Sequence, residues 1–305
     1  MQEIKLITRL SILALSLVWV SPAFADSAPE GEGEVEELEE VEVKEVKRPA
    51  RWDSALWAGS DAFPNIERGI NLYNARTTKR NALLLLIDHR ADQPFTENSW
   101  EDFLGLDAGS MKIGLGLRFG ALETLDVGIY RLNGTKEIFD TYETDVRWRF
   151  LNQESAWLDA AVRVGGTWFF QPGIEDALAP LSQLLLSRTF FDRLLLSLNV
   201  MYHGDSSYET KTPADDDATL AVGGIVELRI FDFLALTGEA AGSVWGFGEK
   251  YPNWTGAAKF ITNKHTFSIV VTNTQYISGD GIVSGSDRNF GRLVLGFNIT
   301  REILF

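Results

Sequence analysis

Charged residues recur at every second position in several otherwise apolar stretches of this 305-residue chain. Glu143, Asp145, Arg147 and Arg149 alternate with Tyr142, Thr144, Val146, Trp148 and Phe150. Arg163, Glu227, Arg229, Glu239 and Arg292 hold the polar positions of comparable stretches. Groups of both signs at this spacing offer two kinds of chemistry. They can interlock as ion pairs, or they can line a polar passage that sorts solutes by charge. Arg147 and Arg149, with Arg163 on the following stretch, are the expected anion-favouring constriction. Lys112, Arg118, Lys259, Asp126 and Asp159 share the same polar parity.

Other candidate chemistry is thinner. The histidines are His89, His203 and His265. A serine nucleophile needs a histidine base within reach and a third group to orient it. Tyr202-His203-Gly204-Asp205-Ser206-Ser207 holds these residue types side by side. Neighbours on a strand point to opposite faces, so this proximity does not make a triad. Asp215-Asp216-Asp217 lacks the spacing of a calcium loop and reads as a solvated tip. Gly114-Leu115-Gly116 and Gly223-Gly224 lie inside strand-like runs with no helix after them, so they are not phosphate cradles. The chain has no cysteine. That excludes a disulfide scaffold, a thiol enzyme and cysteine-ligated metal sites. We expect no enzymatic activity, no cofactor and no metal.

Strands must position these charges. From Asn81 onward the dominant period is two, and the three-and-four spacing of helices is missing. Ile113, Leu115, Leu117 and Phe119 share one face; Leu194, Leu196, Leu198, Val200 and Tyr202 share another; so do Leu293, Leu295, Phe297 and Ile299. Strands are expected near 81–89, 110–119, 125–132, 139–151, 157–169, 181–190, 194–203, 218–230, 234–245, 255–262, 266–277 and 290–305. Short connectors around 120–124, 152–156, 191–193, 231–233 and 263–265 alternate with longer polar ones. Such strict alternation belongs to membrane barrels, with tight periplasmic turns and longer outside loops. Aromatic residues cluster at strand ends: Trp148, Phe150 and Trp157 beside a short turn, and Trp168, Phe169, Phe170, Tyr202, Trp245 and Trp254 toward the loops. Interface belts have this pattern.

The N-terminal fifth has another character. Lys5 and Arg9 precede an apolar run from Leu10 to Val20, and Ala23-Phe24-Ala25 offers a cleavage site. This reads as a secretory signal over 1–25. Residues 26–50 carry ten acids and three bases. They account for nearly half of the net charge of −15, and their composition predicts a disordered tail. Leu38 to Val43 faintly resembles an energy-coupling box, and a plain acidic tail is the preferred reading. Residues 51–80 are expected to be an irregular periplasmic segment or a plug, and 81–305 the barrel. A mean hydropathy of −0.05 then averages an apolar outside with a polar inside. The acidity argues against nucleic acid as a partner. Expected partners are outer-membrane lipid, the barrel assembly machinery, and a periplasmic protein reached through the acidic tail. The final strand closes on Phe305, similar to the insertion signal of outer-membrane barrel proteins.

Leu84–Arg90 (LLLIDHR), Phe103–Gly120 (FLGLDAGSMKIGLGLRFG) and Leu125–Arg131 (LDVGIYR) resemble a family of Gram-negative outer-membrane barrels known only as a domain of unknown function. Phe139-Asp140 and Arg149–Leu151 fit as well. The resemblance is most specific over 81–151. It implies location and fold, and it supplies no catalytic residues. The expectation is therefore an all-β, single antiparallel transmembrane β-barrel of about 12 strands. Its expected role is that of a porin-like narrow pore or small-molecule transporter. A structural or docking barrel is the first alternative and an outer-membrane lipid hydrolase the second.

Overall fold

A computed structural model describes residues 67–95, 111–133, 140–170, 177–206, 218–262 and 264–304. The expected signal, the acidic tail, positions 51–66, Asp215–Asp217 and Phe305 lie outside the described residues.

Period-two segments cannot satisfy their own backbone groups, so each strand must borrow from its neighbours. In a membrane only closure leaves no unpaired edge. Twelve strands achieve this: β1 (Ala82–Ala91), β2 (Met111–Leu122), β3 (Leu125–Leu132), β4 (Asp140–Leu151), β5 (Asp159–Phe170) and β6 (Ala177–Phe190). They continue as β7 (Leu194–Gly204), β8 (Ala218–Phe231), β9 (Leu234–Gly246), β10 (Asn253–Ile261), β11 (His265–Thr272) and β12 (Val294–Leu304). Each pairs antiparallel with its sequence neighbour, and β1 closes on β12 in a register running from Ala82↔Leu304 to Arg90↔Gly296. Short turns collect at one end of the barrel and long loops at the other.

The turn between β6 and β7 spans Phe191, Asp192 and Arg193, with φ of 54° and 53° at Phe191 and Asp192. Positive φ at both central positions gives the twist that matches a hairpin. Arg193 N–H closes the turn on the Phe190 carbonyl (3.0 Å).

Two stretches depart from the expected strands. β11 stops at Thr272, and β12 starts at Val294 rather than near 290. The connector between them carries a six-residue helix, α1 (Gly279–Ser284), which ends at Gly285 with φ of 104°. Ile282 and Val283 of α1 are buried against Leu72, Met201, Ala221, Ile225 and Ala241, so this loop folds inward.

The segment before β1 also lies inside. Gly69 N–H bonds the Leu72 carbonyl (2.9 Å), and Asn74 N–H bonds the Glu67 carbonyl (3.1 Å). This makes a tight hairpin over 67–74. The chain then returns to the short-turn end, where Thr77 Oγ1 donates to the Glu123 carbonyl and Asn81 N–H to that of Gly120. A barrel of this size is wider than its own wall side chains fill. The hairpin and α1 occupy the difference.

Candidate functional site in the lumen

Alternation decides which side chains enter the lumen. On β4, Thr141, Glu143, Asp145 and Arg147 are buried, whereas Val146, Trp148 and Phe150 stay exposed. Arg118 from β2, Asp126 from β3 and Arg163 from β5 join them, each almost without solvent exposure. Arg118 donates through Nη1 to Asp126 (2.5 Å) and through Nη2 to both oxygens of Asp145 (2.8 and 2.7 Å). Arg147 donates through Nη2 to the other oxygen of Asp126 (2.5 Å). Arg163 Nη2 reaches Asp145 (2.7 Å) and Glu143. Three guanidiniums thus face three carboxylates. Forked donors on bidentate acceptors are the strongest geometry such pairs adopt.

The hairpin inserts into this ladder. The Tyr73 ring sits among Arg163, Arg118 and Arg147, with guanidinium carbons 4.3, 4.7 and 5.4 Å from its centroid. Arg147 Nη1 also donates to the carbonyls of Glu67 (2.9 Å) and Asn74 (3.1 Å). Around the hairpin the wall supplies matching groups. Arg68 and Asp88 form a two-pronged ion pair (2.7 and 2.6 Å). Glu239 accepts the backbone N–H groups of Ile70 and Asn71, the latter at 2.9 Å. Gly69 lets the Glu239 carboxylate approach this closely, since a Cβ would fall 2.0 Å from its oxygen and would have to displace it. Asn199 donates to the Tyr73 carbonyl (2.8 Å), Asn298 to that of Ile70 (2.9 Å), and Thr78 N–H to Asp126 (2.7 Å). Glu143 reaches past the ladder to accept Gly279 N–H at the start of α1 (3.0 Å). Asn253 donates to the Ile282 carbonyl (2.8 Å). Cavities beside Tyr73 measure about 10 and 20 Å³, room for roughly one water molecule.

The expected site residues fall into three groups. Glu143, Asp145, Arg147 and Arg163 meet in one network. Glu227 and Glu239 are buried elsewhere on the wall, Glu227 taking Lys259 Nζ (2.6 Å) and Thr237 Oγ1 (2.8 Å). Arg149 and Arg229 keep the inward parity but lie at the short-turn rim, on the carbonyls of Glu123 (3.1 Å) and Asp232 (2.6 Å). Arg292 does not line the lumen. β12 begins two residues later, so the parity that pointed Arg292 inward does not apply, and its side chain is exposed. Phe169, expected toward an aromatic belt, is buried edge-on to His203, with ring centroids 6.5 Å apart. The anion-favouring constriction expected at Arg147, Arg149 and Arg163 differs as well. Arg147 and Arg163 are matched by the carboxylates of the ladder, and Arg149 stands apart at the rim, where it pairs with Asp159 (3.8 Å).

Arg118 and Asp126 are central to the network and carried the same parity signal as the expected residues. Tyr73, Arg68 and Asn74 carried none, because their segment has no periodicity to orient them. His203 faces the lumen, with Nε2 2.8 Å from Thr167 Oγ1 and Nδ1 2.5 Å from the Gly204 carbonyl. Ser206 instead pairs with Thr219 (2.5 Å). His89 points outward and stacks on Phe297, at 4.8 Å between ring centroids. Among the described residues, no cluster of three or more carboxylate or histidine side chains is arranged to hold a metal ion.

A closed antiparallel barrel with an apolar outside and a polar, charge-laden inside defines a membrane-embedded protein. The chain belongs to the family described as membrane bound beta barrel domain, whose pattern matches residues 66–303. Solved structures are similar to this chain at low identity. The NanC porin is 10% identical over 73% of this chain and 99% of its own, with a TM-score of 0.44. An outer-membrane channel from Pseudomonas putida F1 is 8% identical over 75% and 98%, with a TM-score of 0.46. Outer membrane protein Omp33 of Acinetobacter baumannii is 8% identical over 73% and 99%, with a TM-score of 0.43. Among curated proteins none matches the sequence.

Proposed function

We propose that this protein resides in the outer membrane, exported by its N-terminal signal, and serves as a narrow gated conduit for small polar solutes. Its closed state is the one described above. The observation that carries this reading is the chemistry of the closure. Residues 67–78 are held to the wall chiefly by hydrogen bonds and ion pairs, from Asp88, Asp126, Arg147, Ser187, Asn199, Glu239 and Asn298. Water can replace contacts of this kind at a net cost of about 0.5–1.5 kcal/mol each, or about 1.5–3 kcal/mol where a charged group takes part. The wall has no such alternative, since its ladder bonds lie in lipid. The hairpin is thus the part of the fold that can leave while the barrel stays. The reading assigns no enzymatic step; among the described residues His203 is engaged by Thr167 and the Gly204 carbonyl.

A cysteine-free chain allows a direct test. Ala75 N–H donates to Ser187 Oγ at 2.8 Å, which brings hairpin and wall within disulfide reach. In planar bilayers the reduced A75C/S187C protein is expected to show channel openings, and the oxidised protein none. Silence in both states removes the conduit reading.

The second reading is a structural or docking barrel. The small cavities and the balanced charges of the ladder favour it. Its partner would be a basic periplasmic protein recruited by the acidic stretch 26–50. Deleting 26–50 should then remove a co-purifying protein.

A further inference from the structure

Arg188 occupies an unusual position. On β6, Leu185, Ser187 and Thr189 are buried inward, which turns Leu186, Arg188 and Phe190 to the outer surface. Its neighbour across the ladder is Leu196 on β7, itself exposed on that surface. A base on this face must find an acceptor or a headgroup to be tolerated. Among the described residues its guanidinium makes neither a hydrogen bond nor an ion pair, and its Nε is buried without a partner. Arg149, Arg193 and Arg229 at the same end all donate to backbone carbonyls. Arg188 is held only by rings, with its guanidinium carbon 4.8 Å from the Trp157 centroid and 5.1 Å from that of Phe190. Trp157 stands in the turn between β4 and β5 and is 70% exposed.

We propose that Arg188, Trp157 and Phe190 form a binding site for the phosphate of a glycerophospholipid in the leaflet that faces the short turns. The rings hold the guanidinium at its carbon and, Nε being buried, the edge formed by its two Nη groups is the one left without an acceptor among the described residues. That edge matches two phosphate oxygens, the geometry for which arginine is suited and lysine is not. Trp157 and Phe190 then cover the glycerol and the upper acyl chain, where amphipathic rings are favoured. The inference rests on membrane embedding and is independent of whether the lumen opens.

The test is native mass spectrometry of the full chain in detergent, titrated with dioleoylphosphatidylglycerol and, in parallel, with dioleoylglycerol, which lacks the phosphate. The wild type should retain one phosphatidylglycerol and little dioleoylglycerol. R188Q should weaken that retention about tenfold, the scale of one lost charge-assisted pair. R188K should fall between them, and W157L should weaken it with the charge intact. Equal retention of the two lipids by the wild type overturns the proposal. So does unchanged phosphatidylglycerol binding in R188Q, R188K and W157L proteins that migrate as folded barrels on unheated gels.

Discussion

Val146 and Arg147 are adjacent on β4 and answer to opposite solvents. Val146 is 39% exposed on the outer surface, whereas Arg147 is fully buried against Asp126 and the carbonyls of Glu67 and Asn74. The outer face of the barrel is set residue by residue. Each apolar side chain there needs only lipid, and its neighbours matter little. The inner face is set collectively, because each charge is tolerable only while its partners are in place. Substitutions on the two faces should therefore fail differently, outside in proportion to depth and inside in proportion to the partners orphaned.

The largest effect is expected inside. Asp126 neutralises Arg118 and Arg147 and accepts Thr78 N–H. Among the described residues, Asp126→Ala leaves Arg147 without its ion-paired carboxylate and Arg118 with Asp145. Removing one partner of a buried ion pair costs about 3–5 kcal/mol. Urea unfolding in vesicles should show that loss, and the hairpin should become open to protease. If D126A unfolds like the wild type, the ladder is not what holds the lumen together.

Next comes the outer face. Val146→Arg places a base one residue from an arginine the fold accepts, but facing lipid. The expected cost is about 2–4 kcal/mol near the midplane, again read by unfolding in vesicles. The interior of V146R should keep its protease resistance, in contrast to D126A. An identical protease pattern for both would dissolve the distinction between the faces.

The two faces also differ in how much of them the sequence reveals. Period two at Glu143, Asp145 and Arg147 assigns side without any knowledge of partners, so strands, turns and inward charges are readable from local pattern. Arg292 shows where this stops, since parity means nothing once a strand has ended. Partners are a different matter. Arg147 and Glu67 are 80 positions apart. Nothing in Glu67–Thr78 has a repeat that would aim Tyr73 at three guanidiniums. α1 is hidden for a related reason. Its six residues are too few to show a helical period, and their burial depends on Leu72 arriving from the other end of the chain. An aromatic within an irregular segment next to a charged barrel is the only hint that such a plug leaves in sequence.

A smaller effect separates charge from geometry at one inner site. Arg147→Lys keeps the positive charge beside Asp126 but loses the planar fork that also spans two carbonyls. A lysine cannot serve all three acceptors with one ammonium in that arrangement. The expected loss is about 1–3 kcal/mol, the range for buried acceptors left unsatisfied. Reduced protection of the hairpin amides in hydrogen exchange would register it. Full protection in R147K would mean that charge alone suffices.

The smallest effect tests the reach of the network to the loop end. Glu143 touches Arg163 on the wall and Gly279 N–H at the head of α1. Glu143→Gln can keep a carbonyl acceptor for Gly279, but it removes the charge and turns an NH2 donor toward Arg163. Arg163 still has Asp145 at 2.7 Å, so its neutralisation persists. The barrel should therefore unfold within about 1.5 kcal/mol of the wild type, the net worth of the one hydrogen bond lost to Arg163. The amides of 279–284 should nonetheless exchange faster, because the acceptor that holds the loop inward is weaker. Outer-face substitutions such as V146R should leave those amides unchanged. A response of α1 to E143Q and not to V146R would show that the inner ladder couples hairpin, wall and loop, whereas equal responses would mean that the loop senses only overall stability.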